Sequence, residues 1–190
     1  MKNFLIILGI IVVIGLLLIV PVISAYNSMV VAQENIKNQQ AQVEVQLQRR
    51  YDLIPNLVSS VKGLMQQEQD IIDSVTEART KYGSASDGSA EKVSASNELE
   101  GALSRLLVVI ENYPDIKSDA TITALMDELA GTENRISVER KNYNDIVTDY
   151  NKMIKIFPKN IVANIFGFTE KPLFESTSEA EEAPVVDFTE

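Results

Sequence analysis

Residues 122–154 read ITALMDELAGTENRISVERKNYNDIVTDYNKMI, and their spacing decides the fold class. Ile122, Met126, Leu129, Glu133, Ile136, Arg140, Tyr143, Val147, Tyr150 and Ile154 follow one another in alternating steps of four and three. That rhythm keeps one face of a helix turned toward a neighbouring helix. A stripe of this length predicts a helix of roughly 50 Å at about 1.5 Å per residue. No strand pattern of comparable length occurs elsewhere, so the expectation is an all-α protein.

Three further rows lie N-terminal to it. They are Ala95, Leu99, Ala102, Leu106, Val109, Tyr113; then Leu57, Val61, Leu64, Glu68, Ile71, Val75, Ala78, Tyr82; and a weaker Met29, Ala32, Ile36, Gln39, Val43, Leu47, Arg50, Ile54. Breakers fall between them. Gly83–Gly88 reads as a flexible loop. Pro114 follows Tyr113, Ser118 or Asp119 caps the next helix, and Pro158 closes the longest one. Helices are predicted at about 24–52, 55–82, 91–113 and 119–156. Short connections make them an antiparallel, up-and-down four-helix bundle with long helices. Pro55 leaves an alternative. The apolar spacing passes through it in phase, as one long helix kinked at the proline would also produce. A proline inside a helix costs about 3 kcal/mol, which favours a hairpin at 52–56 with Pro55 in the first turn of a new helix.

Residues 4–23, FLIILGIIVVIGLLLIVPVI, carry no charge. As a helix they span roughly 30 Å, the thickness of a hydrocarbon core. A cleaved signal peptide is the rival reading, with Ile23-Ser24-Ala25 as its cleavage site, but its apolar region would be shorter. An uncleaved transmembrane helix in the lipid bilayer is therefore expected. Lys2 precedes the run, while Glu34 and Lys37 are the first charges after it. The rule that positive flanks stay inside places the N-terminus in the cytoplasm and the bundle outside a bacterial cytoplasmic membrane. Residues 175–190 carry six acids and no base, leaving −4 of the net −10 for the rest of the chain. They are expected to form a disordered acidic tail. The chain thus divides into a membrane anchor at 1–23, a helical domain at 24–174 and a tail at 175–190. Within 158–175, Ile161, Val162, Ile165, Phe166 and Phe168 suggest a short helix packed on the bundle end; a place on the membrane surface is the alternative.

The 190 residues contain no Cys, His or Trp. Disulfides, thiolate or imidazole metal sites and Ser-His-Asp chemistry are excluded, and a di-iron bundle would need histidines. Asp70 and Asp73 stand apart without a calcium-loop glycine, and no glycine-rich phosphate loop occurs. No cofactor or metal is expected. A net charge of −10 argues against nucleic acid as a partner.

The most informative polar residues are Glu133 and Arg140, which occupy core-facing places two helical turns apart. Buried charges are costly unless paired. Arg50 and Glu68 hold comparable places in the other rows, so the four are expected to form a structural polar layer that sets helix register. Tyr82, Tyr113, Tyr143 and Tyr150 read as core. Asn27, Asn56, Asn144 and Asn151 read as caps or inter-helix hydrogen bonds.

The run Val45-Gln-Leu-Gln-Arg-Arg-Tyr-Asp-Leu-Ile-Pro-Asn-Leu-Val58, with Val61-Lys62-Gly63 and Glu68, resembles the first signature of the LemA family. Glu133-Asn134-Arg135-Ile136, Val138, Arg140, Tyr143-Asn144 and Tyr150-Asn151 resemble the second, and Phe157-Pro158 with Ile165-Phe166-Gly167-Phe168 the third. Where members usually carry Ala-Trp, this chain has Gln39-Gln40, which predicts looser packing of the first helix. The resemblance implies a membrane-anchored four-helix bundle of bacteria whose biochemical role is poorly defined. A magnetosome-associated branch implies roles in membrane organisation.

The combined expectation is a membrane-anchored interaction or scaffold protein that acts by binding a membrane or envelope protein, or by homo-oligomer formation. The rival is a membrane-linked enzyme, or its accessory subunit, using buried carboxylates such as Glu68 and Glu133.

Overall fold

The computed structural model describes residues 2–86 and 89–174. Every regular element in them is helical: α1 (Lys2–Val61), α2 (Gln69–Ser84), α3 (Ala90–Glu111), α4 (Pro114–Lys117), α5 (Ala120–Lys155) and α6 (Lys159–Phe166). The all-α reading holds. The acidic tail and Asp87-Gly88 lie outside the described residues.

The expected hairpin at 52–56 is not present. Helix α1 passes through Pro55 without a break and ends at Val61. Pro55 has no N–H to donate to the carbonyl of Tyr51, four residues earlier. That oxygen instead accepts a hydrogen bond from Nε of Arg79 at 3.2 Å. The Arg79 guanidinium also lies 3.9 Å from the centroid of the Tyr51 ring. An arginine from α2 therefore supplies the donor that the proline removes. Reversal comes after Val61, where the N–H groups of Leu64 and Met65 both donate to Val61 O at 2.9 and 3.0 Å. A short 3-10 turn at Gln66–Glu68 leads into α2.

That displacement corrects the inward row by one position. Met65 is buried in place of the expected Leu64, and Ile72 replaces Ile71 before Val75, Ala78 and Tyr82 resume the sequence. Helix α2 also runs through Gly83, expected as loop. A Cβ there would lie 2.8 Å from the Tyr51 hydroxyl, so the glycine lets that phenol sit against the helix. Capping follows local chemistry. Lys92 Nζ donates to the carbonyls of Tyr82 and Ala85 at the end of α2, and Ser89 Oγ accepts from Lys92 N at the start of α3. Asp119 Oδ1 takes the N–H groups of Thr121 and Ile122 at the start of α5.

The chain separates into two compact units. The one centred on Val43–Val138 takes helical stretches from α1, α2, α3 and α5, with α4 in the connection. The ion pair Lys81–Glu98 and the hydrogen bond from Tyr113 to Glu68 join opposite ends of α2 and α3, which therefore run antiparallel. Its core includes Ile54, Leu57, Ile72, Leu99, Leu106, Ile110, Ile122 and Leu129.

The other unit joins Met1–Gln42 to Glu139–Phe174. Ala25, Met29 and Ile36 of α1 are buried, as are Tyr143, Val147, Tyr150 and Ile154 of α5. Gln33 Nε2 donates to the Tyr150 hydroxyl at 3.1 Å, and Gln39 Nε2 donates to Glu139 Oε2 at 2.6 Å. Gln39 thus ties α1 to α5. Residues 4–23 belong to the same helix, α1, which is long and apolar enough to cross a membrane. Phe4, Val13, Leu17 and Ile23 stand exposed along it. No break separates Ile23 from Ser24.

The Pro55–Arg79 relationship predicts an asymmetric double-mutant cycle. Arg79→Ala should cost about 1–3 kcal/mol in urea unfolding. Pro55→Ala restores an N–H to the Tyr51 carbonyl, so Arg79→Ala should cost clearly less in that background; equal costs in both would refute the compensation.

Candidate functional site

Two polar constellations stand out, one in each unit. The first surrounds Arg50, whose side chain is 1% exposed at the inward face of α1. Its Nη1 donates to Glu133 Oε2 at 3.0 Å and lies 3.6 Å from Glu100 Oε2. Its Nη2 donates to Ser96 Oγ at 2.8 Å and to the Ser96 carbonyl at 3.3 Å. Helices α3 and α5 thus converge on one guanidinium from α1. Buried Nε has no hydrogen-bond partner among the described residues. The two carboxylates remain partly exposed, at 26% and 35%, so they neutralise the cation while retaining some hydration.

Of the four residues proposed for a polar layer, the structure brings Arg50 and Glu133 together. Glu68 lies elsewhere, accepting the Tyr113 hydroxyl at 3.0 Å. That hydrogen bond, helped by partial desolvation, pushes the Tyr113 phenol above its ordinary pKa. Arg140 belongs to the other unit, with its guanidinium 5.8 Å from the Phe174 ring centroid. Residues 96 and 100 were missed because a serine and a glutamate in a helix carry no sign of which helix they will face. Glu68 was misplaced because the turn after Val61 breaks the phase that put it in line.

The second constellation is a ladder on α5. After α6, Gly167 takes φ +75°, a backbone conformation that glycine adopts without a Cβ penalty. The Phe168 N–H returns to Ala163 O at 2.9 Å, and the chain turns back along α5. Asn151 then makes paired bonds to Lys171: its Nδ2 donates to Lys171 O and its Oδ1 accepts from Lys171 N, both at 2.9 Å. Asn144 repeats this with Phe174 at 2.9 and 2.8 Å. The hydroxyls of Tyr150 and Tyr143 donate to Thr169 O and Pro172 O at 3.1 and 3.3 Å.

The repeat is geometric. Seven helical residues rise about 10.5 Å, and three extended residues cover about 10 Å, so two Tyr-Asn pairs meet a backbone segment in register. The segment runs antiparallel to α5, since falling numbers on the helix meet rising numbers in it. Burial raises the pKa of both phenols, although the hydrogen bond from Gln33 opposes the rise at Tyr150. Both hydroxyls therefore keep the proton they donate well above neutral pH. Each asparagine acts as a short piece of strand edge. The duplicated Tyr-Asn spacing was visible in the sequence, but its target was not.

Two sets of substitutions test these sites. Glu133→Ala should lower stability by on the order of 2 kcal/mol, Glu100→Ala by less, and the double variant by more than the sum, because a buried cation then loses both carboxylates; strict additivity in urea unfolding would refute a shared layer. Asn151→Asp removes the donor to Lys171 O and opposes two oxygens, so it should speed hydrogen exchange at the Lys171 and Phe174 amides at least as much as Asn151→Ala; unchanged protection would refute the ladder.

Comparison with known proteins gives these sites a context. Two relatives from Paramagnetospirillum magneticum, the magnetosome proteins MamQ 2 and MamQ 1, are each 27% identical to this chain over 193 residues. Each alignment covers 88% of this chain and 71% of the relative. Residues 39–188 match the profile of the LemA family. That match spans more than half of the chain and takes in Arg50, Pro55 and both Tyr-Asn pairs, so the chain is identified as a member of the LemA family.

Proposed function

We propose that this protein is a single-pass, membrane-anchored helical protein that acts by binding and not by catalysis. The observation that carries the reading is α1 itself, in which the apolar run 4–23, with Phe4, Val13, Leu17 and Ile23 exposed, and the first packed residues, Ala25 and Met29, form one helix. An exposed apolar surface of that length is strongly unfavourable in water and favourable in lipid. The anchor confines the helical domain to a surface and raises its effective concentration toward membrane partners. The partner is a membrane or envelope protein, or a second copy of the chain. Two relatives named as magnetosome proteins favour a role in membrane organisation.

The carboxylate chemistry supports binding over catalysis. Glu133 and Glu100 face a cation, and Glu68 accepts a phenol, so each has a structural counterpart. An open groove along α1, lined by residues including Ile23, Asn27, Ala32 and Met153, has no titratable side chain in its lining. The layer around Arg50 serves helix register in this reading. Arg50→Met with Glu133→Leu should then preserve helicity while broadening the unfolding transition; an unchanged, cooperative transition would remove the register role.

Lys2 before the span supports a cytoplasmic N-terminus. Single cysteines test this in a background that has none. Val108→Cys should react with a membrane-impermeant maleimide in intact cells and Asn3→Cys should not; the opposite pattern reverses the topology. Photo-crosslinkers at the exposed Val93, Val108 and Val138 should trap a discrete adduct in native membranes. No adduct from any of the three would defeat the binding reading.

A further inference from the structure

Helix α6 has two unlike faces. Val162 and Ala163 are buried, whereas Ile161, Ile165 and Phe166 are 50%, 70% and 53% exposed. Phe157, just before the helix, is 75% exposed, and Ile156 beside it 60%. From Ile156 to Phe168 the only charge is Lys159. Ile161 and Ile165 are four apart within α6, so their side chains form one apolar edge, and exposed Phe157 precedes the helix that carries it.

The location of that edge indicates what covers it. The Tyr26 ring meets Phe166 and Phe168 edge-on, with centroids 4.9 and 5.6 Å away. Tyr26 follows the apolar run by three residues, about 4.5 Å along the helix axis. The end of α6 is therefore pinned to α1 where the candidate span emerges from hydrocarbon. Aromatic rings and amphipathic helices both favour that depth, where an apolar face meets acyl chains and polar groups meet headgroups. Lys155, paired with Glu170 at 2.9 Å, and Lys159 adjoin these apolar residues in sequence and have long stems suited to the headgroup layer.

From this we infer that α6, with Phe157, is an in-plane membrane contact. It embeds its exposed apolar edge in the leaflet from which α1 emerges, so the protein holds the bilayer at a second point. The inference rests on the anchoring reading of residues 4–23.

The test uses full-length protein in vesicles of phosphatidylcholine and phosphatidylglycerol. The chain has no tryptophan, so each variant carries a single indole. Phe157→Trp and Ile165→Trp probe α6, Leu17→Trp probes the span, and Val108→Trp serves as an aqueous reference. All four native side chains are exposed, and circular dichroism verifies that each variant folds. The α6 indoles should emit to the blue of the reference. Lipids brominated near the headgroup end of the acyl chain should quench them at least about twofold, as expected for an interfacial depth. Water-like, unquenched emission at both α6 positions would overturn the inference. Blue-shifted emission without bromolipid quenching would overturn it too, since another protein surface would then cover the edge. Leu17→Trp separates the two readings. If it is quenched while the α6 indoles are not, the α6 contact fails and the anchor stands; if none is quenched, both fail.

Discussion

The carbonyl of Tyr51 must find a donor, and much of the Val43–Val138 unit follows from how it does. Pro55 withholds the N–H that would serve that oxygen, at a cost of about 3 kcal/mol in a helix interior. Arg79 reaches across from α2 and donates at 3.2 Å, while its guanidinium stacks on the same tyrosine. A charge-assisted hydrogen bond contributes about 1.5–3 kcal/mol, enough to offset most of the loss. Helix α1 consequently runs on to Val61. The later turn puts Met65 in the core and sets the phase in which α2 presents Ile72, Val75 and Ala78. Gly83 completes the arrangement by leaving room for the Tyr51 hydroxyl.

The Arg50 site and the Tyr-Asn ladder share one pattern: polar side chains of one segment are met by partners from a different segment. Arg50 gathers Ser96, Glu100 and Glu133 from two other helices, a kind of site that well-packed apolar residues often equal in stability. Asn144 and Asn151 apply the pattern to a backbone, holding residues that would otherwise leave α6 as a loose end. The family-like signatures therefore have physical content. The first carries the buried arginine and the bridged proline, the second carries Glu133 and the ladder, and the third carries Gly167 and the aromatic contacts to Tyr26.

Legibility varied with the kind of interaction. The α5 row was readable along its whole length because an unbroken helix repeats one geometric relation. Ile122, Leu129, Ile136, Tyr143, Val147, Tyr150 and Ile154 are all buried. The weaker α1 row was equally faithful, with Met29, Ile36, Val43, Arg50 and Ile54 all buried. Its phase through Pro55 was the better guide than the local cost of the proline. That cost was real, but the residue offsetting it lay 24 positions away from Pro55, in a helix whose orientation local rules do not specify.

By itself, the sequence determined what depends on periodicity and composition. These are the all-α class, the inward faces of the long helices, the apolar run at 4–23 and the absence of cysteine and histidine chemistry. Tertiary structure alone decided where α1 ends, that Arg50 faces Glu100 and Ser96 as well as Glu133, and that two asparagines hold a returning backbone. The reason is physical. Helical periodicity is set by neighbours three and four residues away, whereas the partner of a buried polar atom is set by whichever distant segment the packed chain brings within about 3 Å.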